Sequence, residues 1–396
     1  VMAAYPALLA GLAARFLPLG HPAGLVALAG SVVLMELARS WLFSGFPWLL
    51  FGHTVLDTPL QPWLPLAGEL GAGLVVALLA VALVGIARPG WRGRGALLAA
   101  ALVAVSLALA PLRWVEPQGE PISVAMMQGN IPQERKWAVD GIEYSFDVYA
   151  ELTATVSDVD LVVWPETAVP AFYTEIATGM ERLADRLAED GTELVTGIFT
   201  YEYSRPALFN SVVHVPSGAD YNKRQLVPFG EFIPLRDRLT WLDRVLAIPM
   251  SDLNAGEGDG RMSMAGGTAG VSICYESAYA RHIRAALPEA GFLVNVSNDA
   301  WFGNSLAPAQ HLQIARVRTV ETGRPMVRAT NTGISALIDA EGDIVTRSGL
   351  FTRKAVRGEI QPQAGRTPAV ALGEGPALLA ALLLLGIGVT ARRWQA

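Results

Sequence analysis

A single cysteine, Cys274, occurs in 396 residues, and it stands where the β-branched run of "VSICYESAYARHI" (271–283) gives way to a helix-like pattern. A thiol at a strand exit and helix start lies near unpaired backbone N–H groups and the positive end of a helix dipole, which predicts a stabilised thiolate. The N–H groups that follow can also receive an oxyanion. Two other strand-like runs end in ionisable residues, Glu166 after "LVVWP" and Lys223 in "DYNKRQLVPFGEF". Together the three suit acyl transfer through a thioester: Glu166 as general base, Lys223 as the cation facing a tetrahedral oxyanion, Cys274 as nucleophile. Singly, each has a plainer reading. An isolated cysteine is most often a small buried hydrophobe, and a charged residue at a strand end usually reaches solvent.

The elements that would hold these groups alternate between short β-rich runs and helical periods. Strand candidates are 122–130, 160–166, 193–199, 210–215, 269–274, 292–299 and 333–339, several of them continuously apolar, as strands covered on both faces are. Met180, Leu183, Ala184 and Leu187 recur at helical spacing before a stop at Gly191, and "PSGAD" (216–220) reads as a hairpin turn. This predicts an α/β domain with helices packed on sheets. "GEGDGRMSMAGG" (256–267) lacks the strand-before, helix-after setting of a phosphate cradle and reads as a flexible loop.

Composition is too apolar for an ordinary soluble domain, with 52% hydrophobic and 17% charged residues. The excess sits at the two ends, so the chain divides into a membrane region at 1–112, a globular domain at 113–375 and a C-terminal span with a tail at 376–396. Five stretches approach crossing length: 1–17, 23–44, 66–87, 95–112 and 376–391. Arg88, Arg92 and Arg94 between the third and fourth, and Arg392 and Arg393 after the fifth, mark cytoplasmic ends and put the globular domain on the outer face. Trp41, Phe46, Trp48, Phe51 and Trp63 suit an interfacial aromatic belt or packing between helices. Glu36 and Arg39, three apart on one span, are placed to pair, which leaves little for a transporter to work with.

A net charge of −6 without a basic cluster gives nucleic-acid binding no support. The five histidines, His21, His53, His214, His282 and His311, have no metal-ligand spacing, and one cysteine cannot make a thiolate zinc site. No metal or cofactor is implied.

The order Glu, Lys, Cys carried by "WPETAVP", "YNKRQLVPFGEFIP" and "ICYES" resembles the nitrilase superfamily. Within it, "QGNIPQERKW" (128–137), "NVSNDAWFGNSLAPAQHLQIARVRTVETGRP" (295–325), "ATNTGISALID" (329–339) and "SGFPWLLFGHT" resemble the apolipoprotein N-acyltransferase family over nearly the whole chain. The resemblance implies a nitrilase-like α-β-β-α sandwich between transmembrane helices, in a monomeric multi-pass protein of the bacterial inner membrane. It also implies the roles given above for Glu166, Lys223 and Cys274, with Glu231 as a second essential carboxylate, Tyr275 and Glu276 completing the cysteine motif and Trp137 at the mouth of the site. The implied reaction moves an acyl chain from a phospholipid such as phosphatidylethanolamine, through a thioester, to the α-amino group of a diacylglyceryl-modified cysteine on an apolipoprotein. A membrane-tethered amidase would use the same residues with water as acceptor. The apolar face of 234–250, with Trp241 and Leu242, joins Phe229 and Phe232 as an expected lid touching lipid, or else a packed helix. Family members carry further spans ahead of the region matching residue 1, so the resemblance also implies a chain shortened at its N-terminus.

Overall fold

A computed structural model describes residues 2–234 and 252–393, in two compact units. Trp241 and Leu242 of the expected lid lie outside the described residues. The first unit takes in Val1–Glu116, Val320–Gly323 and Gly365–Ala396, and the second takes in Pro117–Thr319 and Arg324–Ala364.

In the first unit, helices α1 (Ala4–Phe16), α2 (Pro22–Trp41), α3 (Trp63–Ala87) and α4 (Arg92–Leu109) precede a C-terminal helix, Gly375–Arg393. Among the described residues four helices are long and apolar enough to cross a membrane: Pro22–Ser44, Trp63–Ala87, Arg92–Leu109 and Gly375–Arg392. The expected span at 1–17 falls short, because α1 has 13 residues, or about 20 Å of rise. Pro18 forces Leu17 into an extended conformation and ends it. Without a hydrophobic drive between helices in lipid, close backbone approach holds such a bundle together. A Cβ on Gly30 of α2 would lie 2.5 Å from the Ala381 carbonyl oxygen of the C-terminal helix, and one on Gly95 of α4 would lie 2.6 Å from that of Ala82 in α3. Polar pins add to this. Glu36 accepts from the Phe51 N–H at 2.8 Å with Arg39 at 3.8 Å, and a second buried carboxylate that the sequence reading passed over, Glu69, meets His53 at 2.7 Å. The expected aromatic belt divides: Trp41, Phe46 and Phe51 are exposed, Trp48 is buried, and the Trp63 indole donates to Ser106 at 2.8 Å.

The second unit contains two six-stranded sheets. One has the order β12-β1-β2-β3-β4-β5, with β1 (Ile122–Gln128), β2 (Leu161–Val163), β3 (Glu193–Glu202), β4 (Ala207–His214), β5 (Ala219–Asn222) and β12 (Lys354–Ile360). The other has the order β11-β10-β9-β8-β7-β6, with β6 (Arg261–Met264), β7 (Gly267–Ile273), β8 (Phe292–Ser297), β9 (Met326–Thr330), β10 (Ala336–Ile338) and β11 (Ile344–Arg347). Each sheet has three central strands in parallel, β1-β2-β3 and β7-β8-β9, with antiparallel neighbours outside. Residues from both sheets, among them Val124, Val163 and Val195 against Val271, Val294 and Val327, share one apolar core. The outer face of the first sheet packs on α6 (Gly141–Ala154) and α7 (Tyr173–Ala188), which follow the single-turn α5 (Gln133–Lys136). The outer face of the second packs on α8 (Ala280–Arg284) and α9 (Ala307–Thr322). The result is the expected α-β-β-α sandwich.

All seven expected strands form. The glycine-rich stretch expected as a loop instead contains β6, whose Arg261 pairs with Gly270 across a turn at Ala265 and Gly266, both at positive φ. Its alternation, Met262 and Met264 buried with Arg261 and Ser263 exposed, is too short to stand out among glycines.

Candidate active site

Three strand ends deliver the three groups. β2 runs out into Trp164-Pro165-Glu166, β5 is followed at once by Lys223, and β7 by Cys274. The turn at Glu166 depends on Gly197 of β3, where a Cβ would lie 2.5 Å from the Pro165 carbonyl oxygen and 2.6 Å from the Glu166 Cα. The next residue, Thr167, is left-handed at φ 46°, a costly conformation for a β-branched residue. Its carbonyl accepts from the buried Lys136 ammonium at 2.7 Å. Burial draws that lysine down to about 8, against the charge of Glu166.

The Lys223 ammonium is buried between two carboxylates, 2.6 Å from Glu231 Oε1 and 3.4 Å from Glu166 Oε1. The Asn210 amide on β4 bridges the same two oxygens, at 2.7 Å to Glu166 and 3.3 Å to Glu231. Glu166 Oε2 accepts from the Asn298 N–H at 2.8 Å, and Glu231 Oε2 from the Val227 N–H at 2.8 Å. Burial pulls the ammonium down, and the charges of Glu231 and Glu166 outweigh it, holding Lys223 well above an ordinary lysine. It is a fixed cation.

Cys274 is half-buried, left-handed at φ 52°, and within hydrogen-bonding reach of the Ser297 hydroxyl. The stabilised thiolate expected from the sequence is corrected here. Burial pushes the thiol up, the charges of Glu166 and Asp299 push the same way, and Lys223 and Ser297 oppose them without prevailing. The helix that follows is one short 3-10 turn, Cys274–Ala278, with little dipole to offer. A neutral resting thiol must lose its proton before its sulfur can act as a nucleophile.

The supporting residues separate by what they touch. Glu231 is in the site. Glu276 is buried, its Oε1 accepting from the N–H groups of Arg224 (2.6 Å) and Gln225 (3.0 Å), its Oε2 from Ile273 N–H (2.7 Å) and the Tyr221 hydroxyl (2.8 Å). It therefore ties the chain just after Lys223 to the chain just before Cys274. Tyr275 packs edge-on against Tyr279 at 5.1 Å. Trp137, at the end of α5, is half-exposed, its indole donating to Gln133 at 3.2 Å and its ring 6.4 Å from Phe199. Phe232 packs with Phe199, Leu226 and Leu253, whereas Phe229 is exposed.

Sequence reasoning passed over Asn210, Ser297, Lys136 and a fully buried group beneath Cys274, namely Asn295, Asp299, His311 and Arg328. His311 was weighed only as a metal ligand. The useful signal was a polar residue at the head of an otherwise apolar strand, as in "NSVVHV".

Two family models match the chain: carbon-nitrogen hydrolase over residues 123–368, and the apolipoprotein N-acyltransferase N-terminal domain over residues 1–82. Among curated relatives, the apolipoprotein N-acyltransferase of Methylococcus capsulatus is 42% identical over 373 residues, covering 92% of this chain and 73% of its own. That of Pseudomonas paraeruginosa is 39% identical, covering 93% of this chain and 73% of its own, and that of Chromobacterium violaceum is 37% identical, covering 99% and 78%.

Proposed function

The chain belongs to the apolipoprotein N-acyltransferase family, an enzyme family of lipoprotein N-acylation, and from that premise we propose that Cys274, Glu166 and Lys223 carry the reaction in two half-steps. The observation that supports this reading most directly is the buried Lys223 ammonium, 3.4 Å from Glu166 and 2.6 Å from Glu231, at the strand ends that also present the thiol.

In the first half-step Glu166 takes the thiol proton as Cys274 Sγ attacks the ester carbonyl of a phospholipid such as phosphatidylethanolamine. The oxyanion forms against Lys223 and the backbone N–H after Cys274. Its collapse breaks the C–O bond, and the lysophospholipid leaves with the proton held by Glu166. In the second half-step the α-amino nitrogen of a diacylglyceryl cysteine attacks the thioester and gives its proton to Glu166. The C–S bond breaks, the amide forms, and the sulfur recovers the proton. Asn210 and Glu231 keep Lys223 and Glu166 in register through both half-steps. Trp137, Phe229 and Phe232 offer apolar surface to an acyl chain.

Residues 113–375 serve in this reading as the extracytoplasmic catalytic domain of an inner-membrane protein, between the membrane region at 1–112 and the C-terminal span. Four helices of crossing length and the arginines at 88, 92, 94, 392 and 393 support that orientation. Intact-mass analysis after incubation with phospholipid tests the chemistry. A hydroxylamine-sensitive acyl adduct on the wild type, absent from Cys274→Ala and discharged by a diacylglyceryl peptide, is the expected result. Discharge by water at the same rate would make the protein a hydrolase instead.

A further inference from the structure

Beneath the nucleophile lies a buried polar array that the half-steps above leave unused. The ladders β7-β8 and β8-β9 set Ser272 beside Asn295 and Asn295 beside Arg328, a polar row on the sheet face that α9 covers. Asn295 accepts from the Arg328 guanidinium, and its own amide reaches Ser272 Oγ at 3.0 Å. Arg328 Nη2 lies 3.1 Å from Asp299 Oδ2 and 2.9 Å from His311 Nδ1, while His311 Nδ1 is 3.0 Å from Asp299 Oδ1. The array ends on one atom, the carbonyl oxygen of Cys274, which accepts from Ser277 Oγ at 3.0 Å, His311 Nε2 at 3.2 Å and Asn295 Nδ2 at 3.4 Å.

That oxygen belongs to the same peptide as the N–H of Tyr275. A trans peptide points its C=O and N–H in opposite directions, so fixing one fixes the other. Hydrogen bonds to the carbonyl also polarise the unit, by roughly 10–30% per bond. We infer that His311, held by Asp299 and Arg328, is a positioning residue that locks and polarises the Cys274-Tyr275 peptide so that its N–H serves as an oxyanion donor.

The Cys274 carbonyl can only accept, so His311 Nε2 carries a proton toward it; Nδ1 lies between a donor, Arg328, and an acceptor, Asp299, so the contacts fix the proton on Nε2 alone. Burial and the Arg328 charge hold His311 below an ordinary histidine, against the Asp299 carboxylate, which acts the other way. Asp299 serves chiefly to balance Arg328. The array also supports the left-handed backbone of Cys274, a strained conformation for a non-glycine residue.

This rests on Cys274 being the nucleophile, and it separates two chemistries of one thiol. Attack on a carbonyl makes an oxyanion; displacement of iodide from iodoacetamide does not. The full-length protein in detergent is treated with p-nitrophenyl butyrate, whose acyl carbon bonds to Sγ as p-nitrophenolate leaves with the C–O electron pair, and separately with iodoacetamide. His311→Leu is expected to slow the nitrophenolate burst about 10-fold, the scale of one hydrogen bond, while alkylation stays within about 2-fold. His311→Gln, whose amide can restore a donor near the Nε2 position, is expected to recover the burst to within about 3-fold of wild type. Equal loss in both reactions, meaning a displaced thiol, or loss in neither, overturns the inference. If His311→Leu does not fold, Ser277→Ala decides: a burst slowed about 3-fold with unchanged alkylation supports it, and no difference between the two reactions refutes it. Wild type that reacts with the nitrophenyl ester but takes no acyl chain from phospholipid would count against the phospholipid donor and leave this inference standing.

Discussion

Replacing Asp299 by asparagine removes one negative charge and almost no volume from the middle of the buried array. The side chain is inaccessible to solvent, and so is that of its partner Arg328, 3.1 Å away. Burial opposes ionisation of Asp299, and His311, Arg328 and the Ser297 hydroxyl together more than reverse this, keeping the carboxyl well below the usual carboxylate range. With asparagine there, the guanidinium stays buried without a counter-charge, which typically costs about 3–5 kcal/mol. For a domain of roughly 150–250 residues each kcal/mol moves Tm by about 2–4 °C, so the expected loss is roughly 10 °C. Tryptophan fluorescence on heating supplies the assay, because the fully buried Trp164 reports opening of the unit that contains Asp299. Arg353→Gln is the comparison: that arginine meets Glu151 at 2.6 Å on the surface, and such a pair is worth at most about 1 kcal/mol. A shift for Asp299→Asn under about 3 °C, or no larger than that for Arg353→Gln, would refute the claim that the array is a charge-balanced structural element.

Gly197→Ala should lower acyl-enzyme formation about 100-fold or more in the mass assay, because the new methyl must push the Glu166 backbone aside and a displacement near 1 Å costs that much. Iodoacetamide alkylation of the wild type should keep rising with pH up to about 10: a thiol pushed up by burial is neutral at pH 7, and its thiolate fraction grows about 10-fold per pH unit below its pKa. A plateau near pH 7 would contradict the neutral resting thiol. Glu276→Gln puts an amide NH2 where backbone N–H groups now donate, so it should slow acylation at least about 10-fold by loosening the tie between the Lys223 and Cys274 segments, with Tyr221→Phe, which removes one donor, milder. Gly30→Leu should lower the detergent-solubilised yield of the full chain, since its side chain meets the Ala381 backbone, whereas Gly11→Leu, where a Cβ meets nothing within 4 Å, should not.

Glu166 and Cys274 were legible because each follows a run whose β-branched, apolar character is a local property of the chain, whereas Lys223 follows the short polar strand "ADYN" and was legible only through the resemblance of its motif. The seven strands were found for the same reason. What stayed hidden is what tertiary burial makes favourable against local expectation. β9, "MVRAT", was missed because Arg328 interrupts its apolar run, yet the arginine is on a strand by virtue of Asn295 beside it and Asp299 beyond. No period in the sequence marks an arginine that will be fully buried. The charge state of Cys274 failed for a related reason: its neighbours in sequence suggested a helix dipole, while those in space are Glu166 and Asp299, two carboxylates that raise the thiol. The residues proposed as nucleophile and base could thus be picked out from local pattern, but the choice between a standing thiolate and a thiol that must be deprotonated during reaction could not. In the proposed mechanism that choice makes Glu166 indispensable to the first half-step, and it turns on side chains folded in from β2 and from the turn after β8.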